Sequence, residues 1–351
     1  MVVRTRNSGP LSSQMKRRIV APTQEAKPCY DGDFGTIINS GSTLLDLAIS
    51  GGRVHGGGLP GGILVEIFGP SGSGKTVLLC EIAGDVQRKG GDIKFKDPEA
   101  RLNKLFAKLF GLELKDEDYT QPDTVPEIFK PIRTWVPDDL KAVNGIFADS
   151  LAALSTDMEM EKAEGDKMGQ RRAKEFSEEC RKTCRIITKN NFLMVCSNQV
   201  RVNMDAGPYG QKYTTPGGEA IGFYASLRLK TAIKKKITLE RSIAGKDVTR
   251  VIGVRAEIEV FKSSIWKPFH SAPVTILFDY GIDDIRENLQ FVKDHTKHTV
   301  YTLGGNAIDK SMDEAIKIIE QEKLEVKLKE EVIDLWEEVE SKFVQERKPK
   351  R

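Results

Sequence analysis

The chain has 351 residues, 39% hydrophobic and 30% charged. That suits one sizeable folded domain with smaller additions, and no apolar run approaches the roughly 18 residues needed to cross a membrane as a helix. Lys and Arg number 54 against 51 Asp and Glu, a formal charge of +3, so the chain as a whole is not cationic and any nucleic-acid contact must come from local basic patches.

Taken in chain order, residues 1–35 hold Arg4, Arg6, Lys16, Arg17, Arg18 and Lys27 against the single acid Glu25 through position 27, with no hydrophobic period. They read as a flexible basic arm, either a frayed tail or an arm that touches phosphate or a neighbouring subunit. From 36 to about 280 short apolar runs alternate with helical stretches, which predicts an α/β core on a mostly parallel sheet. Strands are expected at 63–68, 92–96, 143–148 and 192–196 as βαβ units, then at 227–234, 251–261 and 274–278 as hairpins or meanders. Residues 155–172 and 201–218 are polar and glycine-rich and read as two long loops. Each follows a strand, so each should leave the carboxyl edge of the sheet, where ligands bind in open α/β folds. Residues 281–351 read as a small α/β C-terminal domain with helices at 283–294 and 312–343, the second broken near 322–327, and a basic tail, Arg347-Lys348-Pro349-Lys350-Arg351.

The five cysteines, Cys29, Cys80, Cys180, Cys184 and Cys196, form no C-x-x-C pair. They read as structural thiols of a reducing, cytoplasmic compartment.

Gly69-Pro70-Ser71-Gly72-Ser73-Gly74-Lys75-Thr76 matches G-x-x-x-x-G-K-[ST], with an apolar strand before it and a helical stretch, 77–87, after it. Glycines let backbone N–H groups turn onto phosphate oxygens, Lys75 reaches the β and γ phosphates, and Thr76 offers a hydroxyl to Mg²⁺. The pattern therefore predicts ATP and Mg²⁺ as cofactors. Asp149, closing the 143–148 strand, is the expected acid on the metal side. Glu99, just past the 92–96 strand, is the candidate for positioning the attacking water; the same Asp-Pro-Glu also reads as a surface turn.

These pieces, in this order, resemble the RecA family of bacterial and phage homologous-recombination ATPases. The stretches that carry the resemblance are Ser40-Gly41-Ser42-Thr43-Leu44-Leu45-Asp46, Gly57-Gly58-Leu59-Pro60-Gly61-Gly62, the phosphate loop, Gln121-Pro122-Asp123-Thr124, Asp149-Ser150-Leu151-Ala152-Ala153-Leu154, Asn198-Gln199-Val200-Arg201, Gly217-Gly218-Glu219-Ala220 and Phe223-Tyr224-Ala225-Ser226-Leu227-Arg228. The resemblance implies an RecA-like P-loop NTPase core that forms filaments on single-stranded DNA and exchanges strands with a homologous duplex. An accessory paralogue or a DNA motor that binds ATP and DNA without strand exchange is the alternative.

Carried onto matching positions, the resemblance makes Glu99 the water-activating residue, Phe106 the aromatic beside adenine and Gln199 the γ-phosphate sensor. The two polar loops are similar to the family's DNA-binding loops. Met168 and Gly169 match in the first, with Lys174, Ser177 and Arg181 on the helix that follows if one inserted residue is allowed. In the second, Arg201 pairs with phosphate, Met204 wedges between bases, and Gly217 and Gly218 hold a phosphate on their N–H groups. On the residues alone, Met204 also reads as packing and Gly217-Gly218 as an ordinary turn.

Phe223, Arg228 and Lys262 match subunit-interface positions, Lys262 reaching the neighbour's γ-phosphate. A second expected lysine aligns with Ser264, with Lys267 three residues further on, and Gly222 stands where the bacterial pattern has a lysine. The family's docking N-terminal helix has no match in the basic arm. Implied partners are single-stranded DNA, homologous duplex DNA, further copies of the chain, and a LexA-like repressor or phage recombination mediators.

Overall fold

The computed structural model describes residues 35–52, 57–156, 168–202, 213–214, 220–345 and 347. Its centre is strand β3, Ile63–Gly69, after a short pairing of β1, Ile37–Ile38, with β2, Leu59–Pro60, that flanks helix α1, Thr43–Ser50. The chain continues through α2 (Lys75–Arg88), β4 (Ile93–Lys96), α3 (Lys104–Leu109), β5 (Tyr119–Thr120), α4 (Val125–Ile132), β6 (Asn144–Ala148), α5 (Met168–Lys189) and β7 (Phe192–Gln199). Then come β8 (Arg201–Val202), β9 (Tyr213–Thr214), α6 (Ala220–Tyr224), β10 (Leu227–Ile243), β11 (Lys246–Ser263), β12 (Ser271–Leu277) and β13 (Gly281–Ile282). The last elements are α7 (Asp284–His295), β14 (Tyr301–Leu303), β15 (Asn306–Asp309), α8 (Met312–Gln321) and α9 (Glu325–Ser341).

Nine strands form the main sheet in the order β13-β12-β11-β10-β3-β7-β6-β4-β5. It is parallel from β10 through β5 and antiparallel from β13 to β10. The parallel strands are buried on both faces, which is why they read as unbroken apolar runs. Alternation sorts their residues: Leu193 and Val195 of β7 face the α1/α2 side with Val65 and Ile67, whereas Phe192, Met194 and Cys196 join Phe176, Cys180 and Ile187 of α5 on the other. Cys80, Cys180 and Cys196 are buried free thiols, and burial pushes Cys196 well above the usual thiol range.

Three expectations of length need correction. The 155–172 segment is not loop to its end, because α5 begins at Met168. The buried stripe Phe176, Glu179, Cys180, Thr183 and Ile187 fixes the helix against the sheet, and the good helix formers ahead of it extend it toward its N-terminus. The 201–218 segment contains a paired stretch, since Arg201 and Val202 lie opposite Thr214 and Tyr213. Finally, β10 and β11 run far past 234 and start well before 251, closing on a turn at Ala244 and Gly245 with φ of 52° and 77°. Two successive positive φ values are what a two-residue hairpin turn with the right twist uses. The outer part of this ribbon is exposed on both faces, so no hydrophobic alternation marks it in sequence.

In the C-terminal segment, Lys323 with φ 56° breaks the helical stretch between α8 and α9 as the pattern predicts. Leu289, Val292, Leu328 and Val332 of this segment belong to one contiguous apolar cluster with Leu45 and Ile49 of α1.

Buried and half-buried carboxylates stitch this side together. Asp46 accepts from Ser40 N and Asn39 Nδ2, Asp284 from the N–H and hydroxyl of Thr43, and Glu81 from Ile282 N. Burial is the main cause that raises Asp46 to about 6, Glu81 to about 7 and Asp284 above its usual range. Acids raised on folding bind protons more tightly in the native state, so their contribution to stability falls as pH rises from about 4 to 7. Glu81→Gln keeps an acceptor for Ile282 N and cannot ionise. It is expected to stabilise the chain by roughly 1–3 kcal/mol at pH 8, and by little at pH 5; paired urea titrations at the two pH values check this.

Candidate functional site

The loop from Gly69 to Thr76 leaves β3 at its carboxyl end and runs straight into α2. Gly72 and Gly74 have φ of 73° and 87°, conformations that turn N–H groups inward and that side chains resist. At Gly74 there is also no room, since a Cβ would lie 2.2 Å from Ile276 Cδ1. Ser73 Oγ bonds the Pro70 carbonyl and Thr231 Oγ1, both at 2.7 Å, which pins the loop to β10.

Lys75 Nζ donates to the carbonyls of Gly69 (3.1 Å) and Pro70 (2.8 Å), holding the ammonium in the mouth of the loop. Burial lowers its pKa, against the opposing pull of Asp149 and Glu99. Thr76 Oγ1 donates to Asp149 Oδ2 at 2.5 Å, and Ser197 Oγ of β7 donates to Asp149 Oδ1. Burial raises the Asp149 pKa, the two hydroxyl bonds oppose this, and the charges of Glu99 and Asp97 add to it. The peptide bond between Asp149 and Ser150 is cis.

Glu99 stands across the cavity from the phosphate loop. Its Oε1 accepts from Ser150 Oγ (2.7 Å) and from Gln199 Nε2 (3.3 Å), and its Oε2 pairs with Arg101 (3.0 Å). Asp97 builds the turn that presents it: one carboxylate oxygen accepts from Arg101 N (2.9 Å), Leu102 N (2.7 Å) and the Tyr119 hydroxyl (2.7 Å). Asp97→Ala strips three donors of their acceptor, and a loss of about 3 kcal/mol in urea-unfolding stability is expected.

Of these residues, Gly72, Gly74, Lys75, Thr76, Asp97, Glu99, Asp149, Ser150 and Gln199 line a cavity of about 400 Å³, closed on the apolar side by Val254, Ile276 and Phe278, within the size range of small-molecule sites. Phe106, 37% exposed and edge-on to Phe110 at 4.5 Å, lies on its rim. The sequence-predicted Gly72, Gly74, Lys75, Thr76, Glu99, Phe106, Asp149 and Gln199 are thus brought together. Thr231, Ser197, Ser150 and Asp97 were missed. Only Asp97 had a local signal, an Asp-Pro turn whose carboxylate accepts from N–H groups just downstream.

The remaining predicted residues lie elsewhere. Lys262 is not among the residues lining its own chain's cavity; its Nζ donates to the carbonyls of Gly222 and Phe223, both at 2.9 Å. Phe223 is 75% exposed, whereas Arg228 pairs inside the chain with Glu66 at 2.7 Å. Ser264 Oγ donates to the Ser226 carbonyl, and Lys267 pairs with Glu340 of α9. Lys174, Ser177 and Arg181 fall on one side of α5, with Lys174 and Arg181 exposed. Met168 and Gly169 are in its first turn, Arg201 opens β8, and Met204, Gly217 and Gly218 lie outside the described residues.

A hard-oxygen pair of one hydroxyl and one carboxylate beside a phosphate-sized N–H cradle fits Mg²⁺, which keeps most of its waters and takes few protein ligands. Among the described residues, no helix is long and apolar enough to cross a membrane.

The RecA N-terminal domain family matches residues 33–283. Among similar proteins, Protein RecA of Thermus thermophilus is 34% identical over 254 residues, covering 72% of this chain and 69% of that one. Protein RecA of Methylococcus capsulatus is 33% identical over 281 residues (79% and 76%), and that of Rippkaea orientalis 33% over 289 residues (81% and 78%).

Proposed function

Because the chain belongs to the RecA family, we propose that it is a DNA-dependent ATPase that assembles on single-stranded DNA with ATP and Mg²⁺ and exchanges that strand with a homologous duplex. The observation that carries this reading is the hydrogen bond from Gln199 to Glu99 at the head of the second polar loop. It links a carboxylate fit to order water directly to a segment two residues from Arg201.

In this mechanism the N–H groups of Gly72 and Gly74 cradle the phosphates, and Lys75 leaves the Gly69 and Pro70 carbonyls to meet them. Thr76 and Asp149 would hold Mg²⁺, which would neutralise phosphate charge. Glu99, held by Ser150, orients water and accepts its proton. Gln199 is an amide able to exchange its bond to Glu99 for one to a phosphate oxygen, so nucleotide state passes to the loop beyond it. Phe106 covers the base.

Lys174, Ser177, Arg181, Arg201 and Met204, with Met168, Gly169, Gly217 and Gly218, form the DNA-binding set. Such a set reads backbone and stacking, not sequence. The exposed ring of Phe223 supports a contact between subunits, with Lys262 reaching the neighbour's nucleotide. Residues 1–35 are assigned as a basic arm, 36–280 as the ATPase core and 281–351 as a C-terminal unit. The protein would act in the cytoplasm on recombination and repair, with a LexA-like repressor or phage mediators as further partners.

The test is ATP turnover with and without poly-dT, with negative-stain microscopy of the ATP-analogue complex. Stimulated turnover with helical filaments is the expected result. Stimulated turnover without filaments would favour a motor or an accessory paralogue, and the serine at 264 is where that reading would start.

A further inference from the structure

Beneath the site, in the middle of β3, lies a fully buried carboxylate that the mechanism above does not use. Glu66 is 0% exposed and is flanked in the sheet by Cys196 of β7 and Arg228 of β10. Its Oε1 accepts from Asn198 Nδ2 at 3.0 Å and its Oε2 from Arg228 Nε at 2.7 Å. The guanidinium carbon sits 4.6 Å from the ring centre of Phe68 and 5.4 Å from that of Phe261. A buried ion pair contributes little net stability compared with apolar residues of the same volume, so stability alone does not account for it.

What the pair touches suggests its role. On one side, Asn198 Oδ1 accepts from Gln199 N at 3.0 Å, and Gln199 Nε2 reaches Glu99. On the other, Arg228 packs against the backbone of α6 so closely that a Cβ on Gly222 would lie 2.9 Å from its guanidinium carbon. Lys262 holds the end of the same short helix through the Gly222 and Phe223 carbonyls. The second polar loop departs just after Gln199 and returns just before Ala220, so Glu66 is bonded toward both of its ends.

We propose that Glu66 is a positioning residue for hydrolysis. It keeps the Asn198–Gln199 end of β7 and the Arg228–α6 segment in one register, so that both ends of the loop and the Glu99 carboxylate shift as a unit. The catalytic part rests on the ATPase reading above.

Glu66→Gln leaves one amide oxygen for two donors, so either Asn198 or Arg228 loses its acceptor. The expected result is a kcat on poly-dT about 10- to 100-fold lower with KM for ATP little changed, a lower melting temperature from the buried guanidinium left without its carboxylate, and substantial recovery of kcat in Glu66→Asp. Hydrogen exchange is read in parallel, and peptides covering 196–202 and 220–226 should lose protection together in the Gln variant. Asn198→Ala cuts only the β7 side, and should lower kcat while 220–226 stays protected. Wild-type kcat in both Glu66→Gln and Asn198→Ala would overturn the proposal, as would a kcat loss that merely follows nucleotide affinity. Unchanged exchange at both loop ends in Glu66→Gln would overturn it too. A wild-type protein without DNA-stimulated turnover would instead sink the ATPase reading, while the exchange data still decide whether Glu66 joins the two ends.

Discussion

Glu99→Gln should reduce DNA-stimulated ATP turnover by about 100- to 10,000-fold while nucleotide and DNA affinity stay within a few-fold of wild type. The substitution preserves shape and an acceptor oxygen, so Ser150 and Gln199 keep their partner at the Oε1 position. It removes the ability to take a proton. On the Oε2 side an amide NH₂ would face Arg101, but that pair is at the exposed rim and its loss costs little. Neither Lys75 nor the glycine cradle contacts Glu99 through a hydrogen bond, which is why binding survives. Steady-state turnover on poly-dT, with a fluorescent-ATP titration alongside, checks both halves; turnover equal to wild type would remove Glu99 from the mechanism.

Lys75→Ala is expected to act on binding instead. The ammonium now held by two carbonyls is the group able to pass to phosphate oxygens, and two charge-assisted hydrogen bonds at about 1.5–3 kcal/mol each correspond to a loss of roughly 100-fold or more in ATP affinity. The variant also removes a cation whose charge interacts with Asp149 and Glu99, and so an attraction that favours the ionised form of the Asp149 carboxylate, which burial already disfavours. Alanine suits the first turn of α2, so the fold should hold. A fluorescent-ATP titration reads the effect, and wild-type affinity would mean that the backbone cradle alone carries phosphate binding.

How much of this was legible in the sequence depended on how local the physics is. The phosphate loop, the buried parallel strands and the break at Lys323 are written in short windows: glycines at fixed spacing, unbroken apolar runs, a lapse in helical period. The pin from Thr231 to Ser73 is not, because it joins residues 158 apart and a threonine in a strand carries no mark of its partner. The same holds for Ser197 against Asp149. The reach of β10 and β11 escaped because periodicity reports burial, and their outer ends are paired but not buried. The start of α5 escaped for the opposite reason, since its first turns are polar and its burial stripe begins only at Phe176. Asp97 was in plain view but was read as part of a turn, and its role as the acceptor that shapes that turn needs the position of Tyr119.

The β10/β11 ribbon has a consequence for how such a chain changes over generations. Past the last contacts with β3 and β12, its two strands pair only with each other, from Thr238 opposite Val251 out to Ile243 opposite Lys246. An insertion or deletion that adds or removes one residue from each strand there preserves the register of everything below it. The ribbon is therefore a place where length can drift, and new side chains can be presented far from the nucleotide, while the sheet that holds the phosphate loop is inherited unaltered.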